Sequence, residues 1–476
     1  MSSNVRVRFA PSPTGFLHVG AFRSALFNWL WARHNQGVFI VRLEDTDRAR
    51  LVEGAQEQIL ASFDALGLTP DEGPVQGGPH APYVQSERLP LYAESAEILL
   101  ASGALYPCWC SPERLDGLRT AAQKAGTAFK YDRYCLDHPL SVNEPHVLRF
   151  KIPAEPLVVS WDDAVRGTLS FNIVDLDDFV AIKSDSFPTY HFANVVDDHD
   201  MAISHVLRAD EWLPSTPKHL LMFAAFGWDA PIYAHLPAVQ GPDGGKKLSK
   251  RDGARSVQEF LADGYLPEAL LSFLATLGWN DGTTKETYSL DELIQAFSLK
   301  RIQRSPARFD QERLTWTNGW FIRQLPLVEL EKRCEAFWPS EANKFDPIYR
   351  QNVLGLVQER LKSLGELPEL TEFFFVDPTA DPALLTKTLP AETAAEYLRE
   401  VAVAADDTDW SEAQLDPAIR AIADLQGLKT GVLFGLIRVA ITGRTAAPGL
   451  FETMIVLNRE STLRRLNSAA KSLSKP

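Results

Sequence analysis

Long apolar runs are missing from this 476-residue sequence: none approaches the roughly 18 residues that a membrane-spanning helix needs. The N-terminal MSSNVRVRFAPSPTG also lacks the apolar core and the small-residue cleavage site of a signal peptide. We therefore expect a cytoplasmic protein that does not enter a membrane. Internal repeats and low-complexity tracts are absent too, which excludes a solenoid or a disordered chain and leaves a multidomain globular protein.

An excess of basic side chains is also missing. Lys and Arg total 48 against 62 Asp and Glu, so the formal net charge is −14. This balance excludes a protein whose whole surface binds phosphate backbones. Residues 366–419 are strongly acidic, however, and residues 425–476 are basic. Such asymmetry is typical of solvated helix faces and also of a local contact with nucleic acid.

Cysteine is scarce, with four residues in the chain. Three of them, Cys108, Cys110 and Cys135, are close in sequence. So few thiols do not make a disulfide framework, and their spacing indicates a metal site or a structural cluster.

The first 44 residues predict a βαβ unit. Apolar and basic side chains alternate over residues 5–9, a PSPTG turn follows, apolar residues recur at helical spacing from Val19 until Gly37, and VFIVRLE at 38–44 is typical of a buried strand. Parallel strands bind ligands beyond their carboxyl ends. We therefore expect PSPTG and Glu44–Asp47 to converge on a site.

The rest of the chain changes character twice. Helical patterns cover 53–66, 87–102 and 111–125, with a Pro/Gly-rich loop at 68–82, and short alternating segments between 147 and 182 predict a small antiparallel insertion. Strand and helix signals resume at 200–240, and nearly every segment after 310 has helical period. The predicted fold is an α/β domain with an inserted small α+β subdomain, followed by an all-α C-terminal region.

Two motifs carry chemistry. Pro11–Gly20, PSPTGFLHVG, places His18 beside a helix N-terminus whose backbone amides favour phosphate. Gly241–Gly253, GPDGGKKLSKRDG, surrounds four cations with glycines, as suits a loop that closes on a polyphosphate. Taken alone, the first motif also fits a capped turn and the second a solvated basic loop.

Together and in this order, the motifs are far more specific. FAPSPTGFLHVG and KKLSKR resemble the HIGH and KMSKS signatures of the class I aminoacyl-tRNA synthetases. RLEDTD, VVDDHDM, VLRADEWLPSTPKH and SPARFDQERLTWTNGWFI look like the bacterial glutamyl-tRNA synthetases, and the resemblance runs from about residue 5 to 465. The chain departs from the class pattern at Ala21, where the last histidine of HIGH would stand, but glutamyl enzymes commonly lack that histidine.

The resemblance implies a domain plan and an activity. A Rossmann-type catalytic domain would comprise residues 1–85 and 187–242 around an acceptor-end-binding subdomain at 86–186, with the KLSKR loop and a tRNA stem-contact region at 243–325 and a helical anticodon-binding region at 326–476. The implied reaction attaches L-glutamate to the 3′ end of tRNA(Glu) through a glutamyl-adenylate, releasing AMP and pyrophosphate. ATP with Mg²⁺ would be the second substrate, and the enzyme would be a monomer.

The resemblance also assigns the site residues. The implied catalytic residues are His18, Gly20, Lys247 and Lys250. The implied ATP-binding residues are His18, Gly20, Glu211, Leu248, Ser249, Lys250 and Arg251. The implied glutamate-binding residues are Arg8, Ala10, Ser12, Glu44, Tyr190, Asn194, Arg208 and Trp212. Independently, a substrate with two carboxylates and one ammonium needs cationic forks and one anion, and Arg8, Arg208 and Glu44 supply that set.

The cysteine cluster has two interpretations. Some family members bind zinc here through Cys-x-Cys and Cys-x-His, but Asp137 stands where that histidine would be. Related proteins use Tyr-x-x-x-Cys instead. The sequence leaves open a metal-free insertion and a zinc site whose ligands would be Cys108, Cys110, Tyr131 and Cys135, with His138 as a substitute ligand.

The tRNA specificity stays open at this point. Basic side chains at 300, 301, 304 and 308 fit one tRNA contact, and the third anticodon base would be read near 355–362 by Gln358 or Arg360. The alternatives to a tRNA(Glu)-specific ligase are a non-discriminating enzyme that also glutamylates tRNA(Gln) and a catalytically inactive tRNA-binding paralogue. The paralogue would be expected to lose His18 or Lys250, and both are present. A glutamine-charging relative is disfavoured because enzymes of that family usually end in β-barrels, whereas the C-terminal region of this chain is predicted to be all-α.

Overall fold

The computed structural model describes residues 5–139, 144–241 and 255–474. The chain divides into two compact units, Met1–Phe260 with Pro267–Gln311 and Leu261–Leu266 with Glu312–Pro476. The finer five-part division expected from the resemblance stays a prediction.

Strands and helices alternate in the first part of the chain, and the elements described after residue 308 are all helices. Up to residue 308 the elements are β1 (Arg6–Phe9), α1 (Val19–His34), β2 (Val38–Val41), α2 (Ala55–Ala65), α3 (Leu89–Ala101), β3 (Leu105–Cys108), α4 (Pro112–Lys124), α5 (Tyr134–Asp137), β4 (Val147–Phe150), β5 (Val158–Asp163), β6 (Gly167–Asn172), β7 (Phe179–Ile182), α6 (Tyr190–Asp200), β8 (His205–Ala209), α7 (Thr216–Phe226), β9 (Ile232–Leu236), β10 (Val239–Gln240), α8 (Val257–Ala262), α9 (Pro267–Ala275), α10 (Leu290–Ala296) and β11 (Ala307–Arg308). From residue 311 onward they are α11 (Gln311–Gln324), α12 (Leu327–Arg333), α13 (Pro347–Val357), α14 (Leu367–Phe375), α15 (Pro382–Leu385), α16 (Ala391–Asp406), α17 (Glu412–Leu425), α18 (Thr430–Thr442), α19 (Leu450–Leu457) and α20 (Arg459–Leu473).

The predicted βαβ unit is confirmed. Strands β1 and β2 pair in parallel, with Val7 opposite Phe39, and α1 crosses between them. The apolar side chains that predicted α1, including Phe22 and Leu26, are fully buried. The second strand is shorter than predicted and ends at Val41. Backbone hydrogen bonds towards the β1 segment nevertheless continue, because the amides of Arg42 and Glu44 donate to the carbonyls of Phe9 and Pro11 (both 3.0 Å), while the Leu43 amide donates to the Tyr83 carbonyl (2.9 Å).

A four-stranded parallel sheet forms the centre of the first unit, in the order β2-β1-β8-β9. The chain between the first βαβ unit and β8 supplies the predicted insertion: an antiparallel sheet β3-β4-β7 and an antiparallel hairpin β5-β6. Because parallel strands point the same way, the carboxyl ends of β1 and β8 lie at one edge of the sheet. The predicted α/β fold with an inserted α+β subdomain is confirmed.

The second unit is helical, as predicted. Helices α16 and α20 pack together with buried faces that include Leu398, Val401 and Leu466. Pro326 and Pro390 are the N-cap residues of α12 and α16. Among the described residues, no single helix is long and apolar enough to cross a membrane. Together α17 and α18 pass that test of length and composition, but the pair is bent by 120°.

Candidate active site

A cavity of about 750 Å³ opens at the carboxyl ends of β1 and β8. The predicted convergence is confirmed, because its wall contains residues of the PSPTG turn together with Glu44, Thr46 and Asp47. All eight predicted glutamate-pocket residues line it: Arg8, Ala10, Ser12, Glu44, Tyr190, Asn194, Arg208 and Trp212. His18, Gly20 and Glu211 line it as well. Lys247, Leu248, Ser249, Lys250 and Arg251 lie outside the described residues.

The His18 side chain caps α1. Its backbone is extended (φ −91°, ψ 156°), and its Nδ1 accepts a hydrogen bond from the Ala21 amide at 3.2 Å. With Nδ1 used as an acceptor, the neutral ring carries its proton on Nε2. Because helix N-termini favour anions, this arrangement suits a phosphate-binding role. The alanine at the last HIGH position therefore supplies the backbone donor that orients the first histidine.

A cluster of buried charged side chains contributes to one wall of the cavity. The Asp198 Oδ1 atom accepts from Arg8 Nε at 3.0 Å and from Arg42 at 2.8 Å, and Arg42 also donates to Glu44 Oε1 at 3.0 Å. Glu44 Oε1 further accepts from Asn194 Nδ2 at 3.2 Å. Within the described part of the chain, Nε makes the only hydrogen bond of the Arg8 guanidinium. Its terminal NH groups are therefore left for a ligand.

The pKa values of two carboxyl groups in this cluster, Glu44 and Asp198, shift in opposite directions. Burial raises the pKa of Glu44, and the attraction of Arg42 and Arg8 offsets that rise only in part. Burial also opposes ionisation of Asp198, but Arg8 and Arg42 outweigh it and lower the pKa of that carboxyl. Asp198 is thus the stable counterion of the two arginines, while Glu44 is an anion without enough positive charge around it. A ligand ammonium would supply that charge.

Arg208 presents the complementary situation. It is buried, yet its strongest contacts are with neutral groups: His235 Nε2 at 3.1 Å, His219 Nδ1 at 3.2 Å and Thr216 Oγ1 at 2.8 Å. Two longer hydrogen bonds, to Tyr190 Oη at 3.4 Å and to the Trp212 carbonyl at 3.3 Å, lie on the cavity wall. Among the described residues, no carboxylate forms a salt bridge with Arg208. Its charge is therefore available to an anionic ligand.

The cysteine cluster is assembled as predicted. The sulfurs of Cys108, Cys110 and Cys135 all lie within 4.8 Å of one another, and the Tyr131 hydroxyl is 3.3 Å from Cys108 Sγ and 3.4 Å from Cys110 Sγ. Burial opposes thiolate formation at Cys108, but its hydrogen bonds with Tyr131 and Arg149 lower the pKa of this thiol overall.

His138 lies elsewhere. Its ring stacks on Tyr134 (centroids 4.4 Å apart) and its Nδ1 contacts the Tyr134 carbonyl. His138 is not among the residues whose ligand atoms converge in the cluster, and its role as a substitute ligand stays a prediction.

The two candidate anticodon-reading residues differ in availability. Gln358 is partly buried and donates through Nε2 to the carbonyls of Ile322 (2.9 Å) and Leu325 (2.8 Å). Arg360, two residues on, is exposed. The amide of Gln358 is thus committed to the protein backbone, whereas the guanidinium of Arg360 faces solvent.

Several functional groups were missed by the sequence analysis. Arg42, Asp197, Asp198 and His219 stood inside quoted motifs but received no role, and Asp163 and His235 were not considered. One sequence pattern could have indicated these groups. A charged residue that continues an apolar strand, such as Arg42 after VFIV, is expected to be buried and must then find a partner in the protein interior. The partner itself could not be read from the chain, since Asp198 lies 156 positions away.

The cavity and its charges are consistent with two family matches. Residues 4–316 match the family described as tRNA synthetases class I (E and Q), catalytic domain, and residues 329–470 match an anticodon binding domain.

Relatives of the whole chain agree with these matches. A glutamate–tRNA ligase of Dehalococcoides mccartyi (strain ATCC BAA-2100 / JCM 16839 / KCTC 5957 / BAV1) is 48% identical over 100% of this chain and 99% of its own length. A glutamate–tRNA ligase of Roseiflexus castenholzii is 44% identical over 99% and 97%. The crystal structure of a glutamate tRNA ligase from Elizabethkingia meningosepticum, in complex with its amino acid, superposes with a TM-score of 0.91 at 35% identity, covering 99% of this chain and 100% of that one.

Proposed function

The chain belongs to the class I tRNA synthetases for glutamate and glutamine, and from that premise we propose that it attaches L-glutamate to the 3′ end of tRNA(Glu) at the expense of ATP. The full-length relatives named as glutamate–tRNA ligases support this proposal. The observation that carries it is the charge pattern of one cavity, in which Arg208 lacks a carboxylate partner and Glu44 lacks sufficient positive charge.

Glutamate complements that pattern. Its two carboxylates would pair with Arg208 and with the terminal NH groups of Arg8, and its ammonium would pair with Glu44. Asn194 holds Glu44 in place, and the ring of Tyr190, whose centroid is 4.4 Å from that of Trp212, closes one side. We assign Ala10 and Ser12, at the end of β1, to the backbone edge of the same pocket.

The reaction follows from positioning and electrostatics. The α-carboxylate of glutamate attacks the α-phosphate of ATP in line, pyrophosphate leaves, and a terminal ribose hydroxyl of the tRNA then attacks the mixed anhydride and releases AMP. His18 and Gly20 would bind the ATP phosphates at the N-terminus of α1, and Lys247 and Lys250 would stabilise the charge that develops on the α-phosphate. Glu211, Leu248, Ser249 and Arg251 complete the assigned nucleotide site.

Two metals have distinct places in this proposal. Mg²⁺ would enter with the ATP phosphates, and the cavity wall carries carboxylates, among them Glu211, of the kind that this ion prefers. Zinc would be held by Cys108, Cys110, Cys135 and Tyr131, whose converging sulfur and oxygen atoms fit four-coordinate binding. Arg149, which hydrogen-bonds Cys108, favours its thiolate form. Zinc here would stabilise the insertion and take no part in the reaction.

The tRNA contacts follow the charge of the surface. The basic side chains of Lys300, Arg301, Arg304 and Arg308 are all exposed, as a phosphate contact requires. For the third anticodon base we assign Arg360 over Gln358, because the Gln358 amide already donates to two backbone carbonyls. An exposed arginine can hydrogen-bond a splayed base and discriminate between bases at that position.

Aminoacylation with labelled glutamate and ATP tests the proposal, using separate tRNA(Glu) and tRNA(Gln) transcripts. We expect charging of tRNA(Glu) by the wild type and not by Lys250→Ala. Charging of both transcripts would show a non-discriminating enzyme and contradict the assigned specificity. Charging of neither, with no activity on any other tRNA, would contradict the ligase proposal and favour the inactive RNA-binding paralogue.

A further inference from the structure

The surroundings of Arg208 contain a chain of hydrogen bonds that the reaction itself does not use. His235 Nδ1 lies 2.5 Å from Asp163 Oδ2, and both side chains are fully buried. A carboxylate only accepts, so Nδ1 carries the imidazole proton and Nε2 is left as a lone pair. Arg208 Nε donates to that lone pair at 3.1 Å. Asp163 thus determines the tautomer that His235 presents to Arg208.

A second histidine pair acts on the other side of the guanidinium. Arg208 donates through NH1 to His219 Nδ1 at 3.2 Å, so the proton of His219 is on Nε2, which donates to His191 Nδ1 at 3.1 Å. Burial, the Lys218 ammonium and the Arg208 guanidinium lower the pKa of His191 to about 3. Burial and the Arg208 charge also hold the pKa of His219 well below its ordinary value. Both rings are therefore neutral in the folded protein, and His219 presents the lone pair of Nδ1 to Arg208.

The third anchor is Thr216, at the start of α7. Its Oγ1 accepts from Arg208 at 2.8 Å and lies 3.1 Å from His235 Nε2. The three neutral acceptors, on His235, His219 and Thr216, therefore fix the plane of the guanidinium from the side away from the cavity. The contacts that face the cavity, to Tyr190 and to the Trp212 carbonyl, are the longest, at 3.4 and 3.3 Å. An incoming carboxylate can replace these two without disturbing the anchors.

We propose that His235, His219 and Thr216 are positioning residues that determine the specificity for an acidic side chain, by orienting Arg208 without neutralising it. Asp163, on the β5–β6 hairpin, supports this role because it fixes the acceptor form of His235. It acts on the guanidinium through His235 and not by direct contact. A carboxylate in direct contact with Arg208 would cancel the charge that distinguishes glutamate from the neutral, isosteric glutamine. The inference rests on the proposed glutamylation, because it assigns Arg208 to the side-chain carboxylate of that substrate.

A matched pair of variants at one position isolates the charge. Thr216→Asp places a carboxylate against Arg208, and Thr216→Asn places a neutral side chain of nearly the same size there. We expect KM for glutamate to be at least about tenfold higher in Thr216→Asp than in Thr216→Asn, since hydrogen bonds to charged groups are worth that much. KM for ATP should be the same in both variants. The affinity for glutamine as an inhibitor, divided by the affinity for glutamate, should increase in Thr216→Asp only.

A second pair tests the acceptor role if the Thr216 variants do not fold. His235→Gln can keep a carbonyl oxygen near Arg208 Nε, whereas His235→Leu cannot. We expect His235→Gln to retain a KM for glutamate at least about fivefold lower than that of His235→Leu, with similar thermal midpoints.

The wild-type assay separates the two proposals. If the wild type does not charge tRNA(Glu), the proposed function fails before any variant is compared. If the wild type is active and Thr216→Asp matches Thr216→Asn in KM for glutamate, the specificity role is refuted. Both members of a pair could instead show the same increase in KM for ATP and for glutamate and the same decrease in thermal midpoint. That result would show a structural role only and would also overturn the inference.

Discussion

Neutralising Asp198 and neutralising Glu44 should have different effects on stability, although the two buried carboxylates share a partner in Arg42. Asp198→Asn removes the counterion that receives charged hydrogen bonds from Arg8 (3.0 Å) and Arg42 (2.8 Å). Breaking a buried pair in this way leaves unpaired charge inside the protein and costs about 3–5 kcal/mol. Arg8 then has no other salt-bridge partner among the described residues.

Glu44→Gln is the matched control. It removes one charged hydrogen bond from Arg42, which keeps its contacts to Asp197 and Asp198. It also removes a charge whose burial is unfavourable, as the raised pKa of Glu44 shows. The two effects oppose each other, so the free energy of unfolding should change by less than about 1 kcal/mol. Activity should nevertheless be lost in Glu44→Gln, because no anion remains for the substrate ammonium.

Urea unfolding followed by circular dichroism measures the difference. The chain has two units, so the midpoint of the transition is compared rather than a two-state free energy. Asp198→Asn should unfold at clearly lower urea than the wild type, and Glu44→Gln should stay close to it. A midpoint for Asp198→Asn equal to or above that of Glu44→Gln would refute the charge assignment of this cluster.

The two carboxylates should also contribute to stability in opposite ways as the pH changes. Because the pKa of Asp198 is lowered by folding, its ionised form stabilises the protein above the ordinary value of 3.8, and this stability is lost as pH falls through the lower folded pKa. Because the pKa of Glu44 is raised by folding, its stabilising contribution is present below the ordinary 4.5 and is lost as pH rises through the folded pKa. In acid, Asp198→Asn should therefore lose less stability than the wild type.

Three further predictions concern the site. Lys250→Ala should lower kcat by about 100-fold or more in the aminoacylation assay, since a preorganised cation at the reacting phosphate is removed, and an unchanged kcat would contradict its catalytic role. Arg208→Gln should raise KM for glutamate by about 10- to 100-fold while KM for ATP stays constant, and equal changes in both constants would argue against a glutamate contact. Cys135→Ser should release one equivalent of zinc by elemental analysis and lower the thermal midpoint, and a wild type purified without zinc that binds none on titration would establish the metal-free insertion.

The local structure of the first βαβ unit was predictable because its information is local. The alternation over residues 5–9 and the helical spacing after Val19 each depend on neighbouring residues, and the structure confirms the strand β1 and the helix α1 that they predict. The partner of the segment that follows β2 was not predictable in the same way. The Leu43 amide donates to the carbonyl of Tyr83, forty residues later, and no pattern near residue 43 records that contact.

The sequence by itself determined the order of the elements and the helical character of the C-terminal region, and its resemblance to a known family implied the residues of the cavity wall. Only the tertiary structure decided how those residues are charged and oriented. Asp198 joins Arg8 to Arg42, and Asp163 acts on Arg208 through His235, across 190, 72 and 27 positions of the chain. Burial makes such long-range partners necessary, because an ion taken from water must find its counterion or its acceptors wherever the fold places them.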